Sequence, residues 1–245
     1  MRLSRISLVT MVLVGIATAI IIRHDRDDAR AIAMGKQYGI VGSVKGGGAA
    51  TVIGTHWMIT AGHVGAGLPK NPTVNIDGRD YAIEKAFVYP GWTDMAPHDI
   101  ALLKISEEIE GVNPAKLYRD HDEMGQQVVF VGYGKSGTGK TGPTANDGVK
   151  RAATNRVEIV DNVWLYFTFH SPDSKDVTDM EGISGPNDSG GPALVIKNGI
   201  RYVAGVSVFG EPPPEGKGHY GQKEGYTRVS SHLAWLEKTM QENSQ

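Results

Sequence analysis

"QVVFVGYGKSGTGKTGPTANDG", Gln127–Gly148, has two readings that lead to different folds. From Gly134 to Thr141 it matches GxxxxGK[ST], in which a glycine-rich turn after a strand opens a helix whose first amides hold phosphate. That reading needs a parallel sheet with crossover helices. The apolar run "QVVFVGYG" supplies a strand, but Gly142, Pro143 and Gly148 then fall where the helix would have to run. The stretch therefore reads as a strand leading into a glycine-rich, lysine-bearing surface loop with Lys140 turned to solvent, and no nucleotide is expected.

The flanking sequence repeats this pattern of short apolar runs cut by Gly, Pro, Asn and Asp. "AATVIG", "HWMITA", "IALLKI", "VWLYFTF", "PALVI" and "YVAGVSVFG" are among about twelve segments of strand length and β-branched content. Little helical sequence lies between them, which predicts an all-β protein of two packed barrels or sandwiches. One helix is expected over 230–245, capped by Ser230 and Ser231 and docked on the last barrel through Leu233, Leu236 and Met240. The polar "LYRDHDEMGQ", Leu117–Gln126, is expected to link the two halves.

Composition narrows the function classes. In 245 residues, 40 % are hydrophobic, 21 % are charged and the net charge is −2, which fits a folded protein and not a disordered or nucleic-acid-coating one. A cysteine count of zero removes thiolate catalysis and every Cys-containing zinc site. With no His pair at metal-ligand spacing either, neither metal nor other cofactor is expected. Arg2 and Arg5 precede an uncharged run to Ile22 that ends near "ATA", Ala17–Ala19, so residues 1–22 read as an export signal or an uncleaved membrane anchor. An exported protein follows, membrane-bound only if the anchor is retained, with residues 23–36 as a charged N-terminal segment.

Three segments carry the chemistry: "ITAGHV" around His63, "HDIALLKI" around Asp99 and "GPNDSGGPAL" around Ser189. A serine hydroxyl needs a base to become a nucleophile at neutral pH, an imidazole supplies that base, and a buried carboxylate orients the imidazole. His63, Asp99 and Ser189 are thus the candidate catalytic residues.

These segments resemble those of the chymotrypsin-like, trypsin-family serine proteases. "TAGHV" is similar to the family's TAAHC, "DIALLKI" to DIALLxL, and "NDSGGPAL" to GDSGGP; "GYG" (Gly132–Gly134) and "YTRVSSHLAWL" extend the likeness to the C-terminus. "RHDRDDARAIAMGKQYGIVGSV" and "DGVKRAATNRVE" further resemble a bacterial, cysteine-free branch. The resemblance implies two six-stranded antiparallel β-barrels, over 37–122 (with His63 and Asp99) and 123–229 (with Ser189), followed by a C-terminal α-helix. It implies a monomeric endopeptidase acting on protein or peptide substrates, with no nucleic-acid partner; the alternative is an inactive protease fold that only binds.

Residue by residue, the resemblance makes the backbone N–H groups of Asn187 and Ser189 an oxyanion hole. Asn187 stands where the family has Gly, and Asn is one of the few other residues that accept φ > 0. Ile183 is expected at the floor of the specificity pocket, with Val208, Phe209 and Gly210 along its wall; Glu181 or Glu224 are alternatives that would favour a basic side chain. Val208, or Ser207 after a one-residue shift, would take the place of a serine that supports the family's catalytic Asp. Asp188 is expected to pair with a new N-terminal amine. "GIVG", Gly39–Gly42, lies too close to His63 to supply it, whereas cleavage after Ala19 would supply Ile20.

Overall fold

The computed structural model describes residues 17–18, 20–93 and 97–244. Most of the apolar N-terminal run lies outside the described residues. Six strands close into an antiparallel barrel in the order Val41–Val44, Ala49–Gly54, Trp57–Thr60, Ala101–Ile105, Arg79–Val88, Thr73–Ile76. Closure leaves no unpaired edge. Val52, Met58, Ile59, Leu102 and Ile105 are fully buried inside it.

The second half departs from the expected six-stranded barrel. Seven strands run in the order Arg151–Arg156, Gln127–Gly132, Pro192–Lys197, Ile200–Glu211, Lys223–Arg228, Trp164–Thr168, Ile159–Val160, and the ends do not meet, so this sheet is a curled half-barrel. Its Arg151–Arg156 edge is covered instead by the helix Asp28–Gly35, which the sequence reading did not separate from the charged N-terminal segment. Asp27 caps that helix, accepting from the Ala29 N–H at 2.9 Å. Gly35 lets it come close, since a Cβ there would lie 2.7 Å from the Lys150 carbonyl oxygen. Phe130, Phe167 and Tyr226 form the aromatic centre of this half, with ring centroids 4.8 to 5.0 Å apart.

The linker joins the second sheet early: Lys116–Leu117 pairs in parallel with Tyr202 and Val203, and Tyr118 is buried. A small third sheet combines Ala17–Thr18, Gly142–Val149, Ser136–Thr138, Ile21–Ile22 and Gly182–Ile183. "GKSGTGKT" is thus not an open loop. It opens a hairpin whose first strand also pairs with Ile21 and Ile22, while Lys140 stays exposed.

The C-terminal helix runs Leu233–Glu242 after a 3-10 turn at Val229–Ser231. Ser230 does not cap it, because its hydroxyl donates to Glu123 Oε1 at 2.6 Å. Nor does the helix dock only on the second half: Leu236 joins the core cluster of the first barrel, and Trp235 meets Tyr89 edge-on at 5.3 Å. Glu123 is fully buried and takes a two-pronged contact from Arg228 at 2.9 and 2.7 Å, tying the linker to the last strand. Removing one partner of a buried pair leaves the other charge uncompensated. Glu123→Ala is expected to cost about 3–5 kcal/mol of stability, read from urea unfolding, with more lost than in Arg119→Ala, whose ion pair with Glu237 is exposed.

Candidate active site

His63 lies in one helical turn, Gly62–Ala66, directly after the barrel strand Trp57–Thr60. Its backbone N–H donates to Asp99 Oδ1 at 2.8 Å, and its ring Nδ1 is 2.7 Å from Asp99 Oδ2. Two contacts to one carboxylate set both the position and the plane of the imidazole and direct Nε2 away from Asp99. Gly62 is required by this closeness, since a Cβ there would lie 2.9 Å from Asp99 Oδ1.

Asp99 is 5 % exposed, and its backbone carbonyl accepts from Thr227 Oγ1 at 2.8 Å. Thr227 is a bracing residue that the sequence reading missed, although it stands in the quoted "YTRVS". Ser207, the alternative to Val208 at the place of an Asp-supporting serine, donates to Ser184 Oγ at 3.3 Å. Just before Asp99, His98 adopts φ 68° and its Nδ1 lies 2.9 Å from Nε2 of the buried His232. Burial lowers the His232 pKa, partly offset by its hydrogen bond to the Arg228 carbonyl.

Ser189 comes from the second half, in the turn before Pro192–Lys197. Its carbonyl accepts from the Ala49 N–H of the first barrel at 2.8 Å. Gly190, at φ 82°, permits this approach: a Cβ there would lie 2.2 Å from Thr60 Oγ1 and 2.3 Å from the Ala49 carbonyl. Ser189 and His63 consequently face the same cavity of about 310 Å³.

The turn is held from beneath by Asp188, which is 1 % exposed. Its carboxylate accepts backbone N–H groups of Gly134 at 2.7 Å, Gly185 at 2.8 Å and Ile20 at 3.0 Å. Gly132 and Gly134 make room, because a Cβ on Gly132 would lie 1.9 Å from Asp188 Oδ1 and one on Gly134 only 2.4 Å from the Pro186 carbonyl. Burial pushes the Asp188 carboxyl up to about 6 despite the amide donors from Gly134, Gly185 and Ile20. Asn187, immediately before it, has φ 77°, in the left-handed region.

Asn187 and Ser189 also line a second cavity of about 290 Å³ on the other side of the turn. Val208, Phe209 and Gly210 border it, and a bulge between Ser207 and Phe209 displaces Val208 from regular pairing. Phe209 stands edge-on to Trp164 at 5.0 Å. Ile183 is not part of this cavity: it is fully buried, paired with Ile21 and packed with Phe169. Glu224 lies there instead. Glu181 does not reach it and accepts from the His170 and Thr178 backbone N–H groups at 2.9 and 2.5 Å. Among the described residues no cluster of His, Asp and Glu suits a metal ion.

The chain belongs to the trypsin family, whose Trypsin model matches residues 30–236. It is 25 % identical to Testisin of Homo sapiens over 75 % of this chain and 60 % of that one. It is 28 % identical to Melanization protease 1 of Drosophila melanogaster over 83 % of this chain and 61 % of that one. The chain thus spans roughly three fifths of these relatives. The solved structure of mouse neuropsin, described as a serine protease, aligns with a TM-score of 0.64 at 17 % identity, covering 84 % of this chain and 96 % of that one, which establishes the likeness of fold.

Two measurements check the geometry. Asn187→Gly is expected to leave thermal stability nearly unchanged, whereas Asn187→Val should lower it by roughly 1–2 kcal/mol because a β-branched residue resists positive φ. Stability should also fall as the pH rises. Burial lifts Glu224 from 4.5 to about 8 and Asp188 from 3.8 to about 6, so between those values the folded chain holds protons the unfolded chain releases. The contribution is complete below about pH 4 and lost by about pH 8. Glu224→Gln should flatten the upper part of that slope in thermal scans from pH 5 to 9.

Proposed function

We propose that the protein is an exported serine endopeptidase that cleaves protein or peptide substrates through His63, Asp99 and Ser189. The observation that carries this reading is the doubly bonded His63–Asp99 pair, set in the same cleft as Ser189. Ser189 Oγ attacks the peptide carbonyl carbon while its proton passes to His63 Nε2. Asp99 keeps the Nδ1 proton in place and stabilises the imidazolium. The carbonyl oxygen takes up the negative charge and is met by the N–H groups of Asn187 and Ser189. Collapse breaks the C–N bond, and His63 returns the proton to the leaving amine. Water then repeats the sequence on the ester, releasing the acid and restoring the serine. The Val208–Gly210 segment offers backbone along which an extended substrate can lie as an added strand.

Activation is part of the same reading. Asp188 is buried among amide donors, one of them the Ile20 N–H at 3.0 Å, which a cut before Ile20 would turn into an α-ammonium. With the preceding peptide bond intact, Ile20 is held at φ 59°, a strained value for a β-branched residue. Cutting after Ala19 abolishes that torsional restraint and places an α-ammonium beside Asp188. A leader-removing cleavage at "ATA" would then be the activating cleavage as well. Among the described residues no helix is long and apolar enough to cross a membrane.

Covalent labelling by a fluorophosphonate should be lost in Ser189→Ala, and Asp99→Asn should lower kcat/KM by about 10⁴-fold by favouring the wrong imidazole tautomer. Absence of labelling in the parent protein would favour an inactive binding fold. N-terminal sequencing of the exported, active protein should begin at Ile20; full activity with a start beyond Ile22 rules out the Asp188 pairing.

A further inference from the structure

Asp99 is braced from two places, one on the strand Lys223–Arg228 and one just after it. Thr227 donates from Oγ1 to the Asp99 carbonyl at 2.8 Å. The second brace acts on the residue before Asp99. His98 Nδ1 lies 2.9 Å from Nε2 of His232, which is 2 % exposed and directly precedes the helix Leu233–Glu242. His98 needs such a hold, because its φ of 68° is in the left-handed region, and a strained backbone persists where its surroundings fix it. Tyr89 completes the setting: its ring stacks on His98 at 5.1 Å, meets His232 edge-on at 5.2 Å and meets Trp235 edge-on at 5.3 Å.

The bonding of the two imidazoles limits how many protons they can hold. His232 Nδ1 is 2.7 Å from the Arg228 carbonyl, which only accepts, so that nitrogen carries a hydrogen and Nε2 of the neutral ring presents a lone pair. His98 Nδ1 therefore donates. One added proton is compatible with this, because His98 is half-buried and can take it at Nε2. A second has to go to His232 Nε2, where it meets the His98 N–H head-on and sets two cations side by side. Burial lowers the His232 pKa, and a charge on His98 lowers it further, against the bond to the Arg228 carbonyl. Tyr89 is the other titratable side chain packed on the pair. Among the described residues no carboxylate bonds to either imidazole: Asp99 is taken by His63, and the Arg228 guanidinium turns to Glu123.

We propose that His232, acting through His98, is a positioning residue for Asp99, and that it holds Asp99 in place only while the two imidazoles share no more than one added proton. This rests on the reading of His63, Asp99 and Ser189 as the catalytic groups. His98 and Asp99 share a peptide bond, so release of the His98 ring shifts the carboxylate whose two contacts orient His63. In acid the site is then disordered by the pair as well as silenced by a proton on His63.

Variants at position 98 separate the hydrogen bond from the backbone strain. Asn accepts positive φ, its amide can donate to neutral His232, and after a flip its carbonyl can accept from charged His232; Gly accepts the φ and offers neither. His98→Asn should keep the parent kcat at about pH 8, whereas His98→Gly should lower kcat by about ten- to a hundredfold with KM little changed. A purely conformational role makes Gly at least as active as Asn, and that result overturns the proposal. The acid step is read without catalysis, by NMR of the His63 Nδ1 proton in full-length Ser189→Ala protein. Between about pH 8 and about pH 4 that signal should be lost in Ser189→Ala and kept when His98→Asn is added; equal behaviour of the two overturns the proposal. Asp188 and Glu224 titrate in both proteins, so the difference belongs to the imidazole pair. This comparison stands if the Gly variant fails to fold. Absence of fluorophosphonate labelling in the parent protein would count against Ser189 as nucleophile and leave the NMR comparison to decide the role of His98 and His232.

Discussion

The buried carboxylate of Asp188 sits between the two residues whose backbone faces the cleft, and its oxygens collect amides from three separate stretches of chain: Gly134, Gly185 and Ile20. Few side chains could do this. A carboxylate accepts several donors at once and cannot turn away into water here, so the turn around it is held in one conformation. The left-handed Asn187, the position of Ser189 and the close fit of Gly190 against the first barrel all follow from that anchorage. The glycines at 132 and 134 are its counterpart on the neighbouring strand, leaving the space that Asp188 fills.

A second buried carboxylate, Glu224, lies on the other side of the same turn. Both are surrounded by neutral donors; burial raises the proton affinity of each, and the Asp188 carboxylate further raises that of Glu224. The region is therefore electrostatically poised: it lacks positive charge of its own at the two points where burial makes negative charge most costly. In the proposed function the deficit at Asp188 is met from the chain's own N-terminal segment. The structural ion pair Arg228–Glu123 shows the contrasting case, a buried carboxylate whose cation is built in.

Much of the fold was legible because short, β-branched, turn-bounded runs have few other uses, and Gly142 and Pro143 exclude the helix that a phosphate loop needs. The closure of the second sheet was not legible, since strand runs do not say whether the first and last of them meet. The helix Asp28–Gly35 is only eight residues long, and its cap at Asp27 was one aspartate among several in a charged segment. Ser230 looked like a cap because local sequence favoured it, but a buried carboxylate from the linker claimed its hydroxyl. Ile183 was expected at the pocket floor from the family resemblance, and pairing with Ile21 makes it part of the core.

By itself, the sequence determined an all-β chain, the residue types that a serine, imidazole and carboxylate mechanism needs, and the positive φ that Asn187 tolerates. Those are local properties, set by side-chain chemistry and by the conformations that Gly, Pro and Asn allow. Only the tertiary structure decided that Thr227 braces Asp99, that Ile20 reaches Asp188 and that Glu224 rather than Ile183 borders the cavity. Each of these joins residues far apart in the chain, and such contacts depend on strand register and on how the two halves meet.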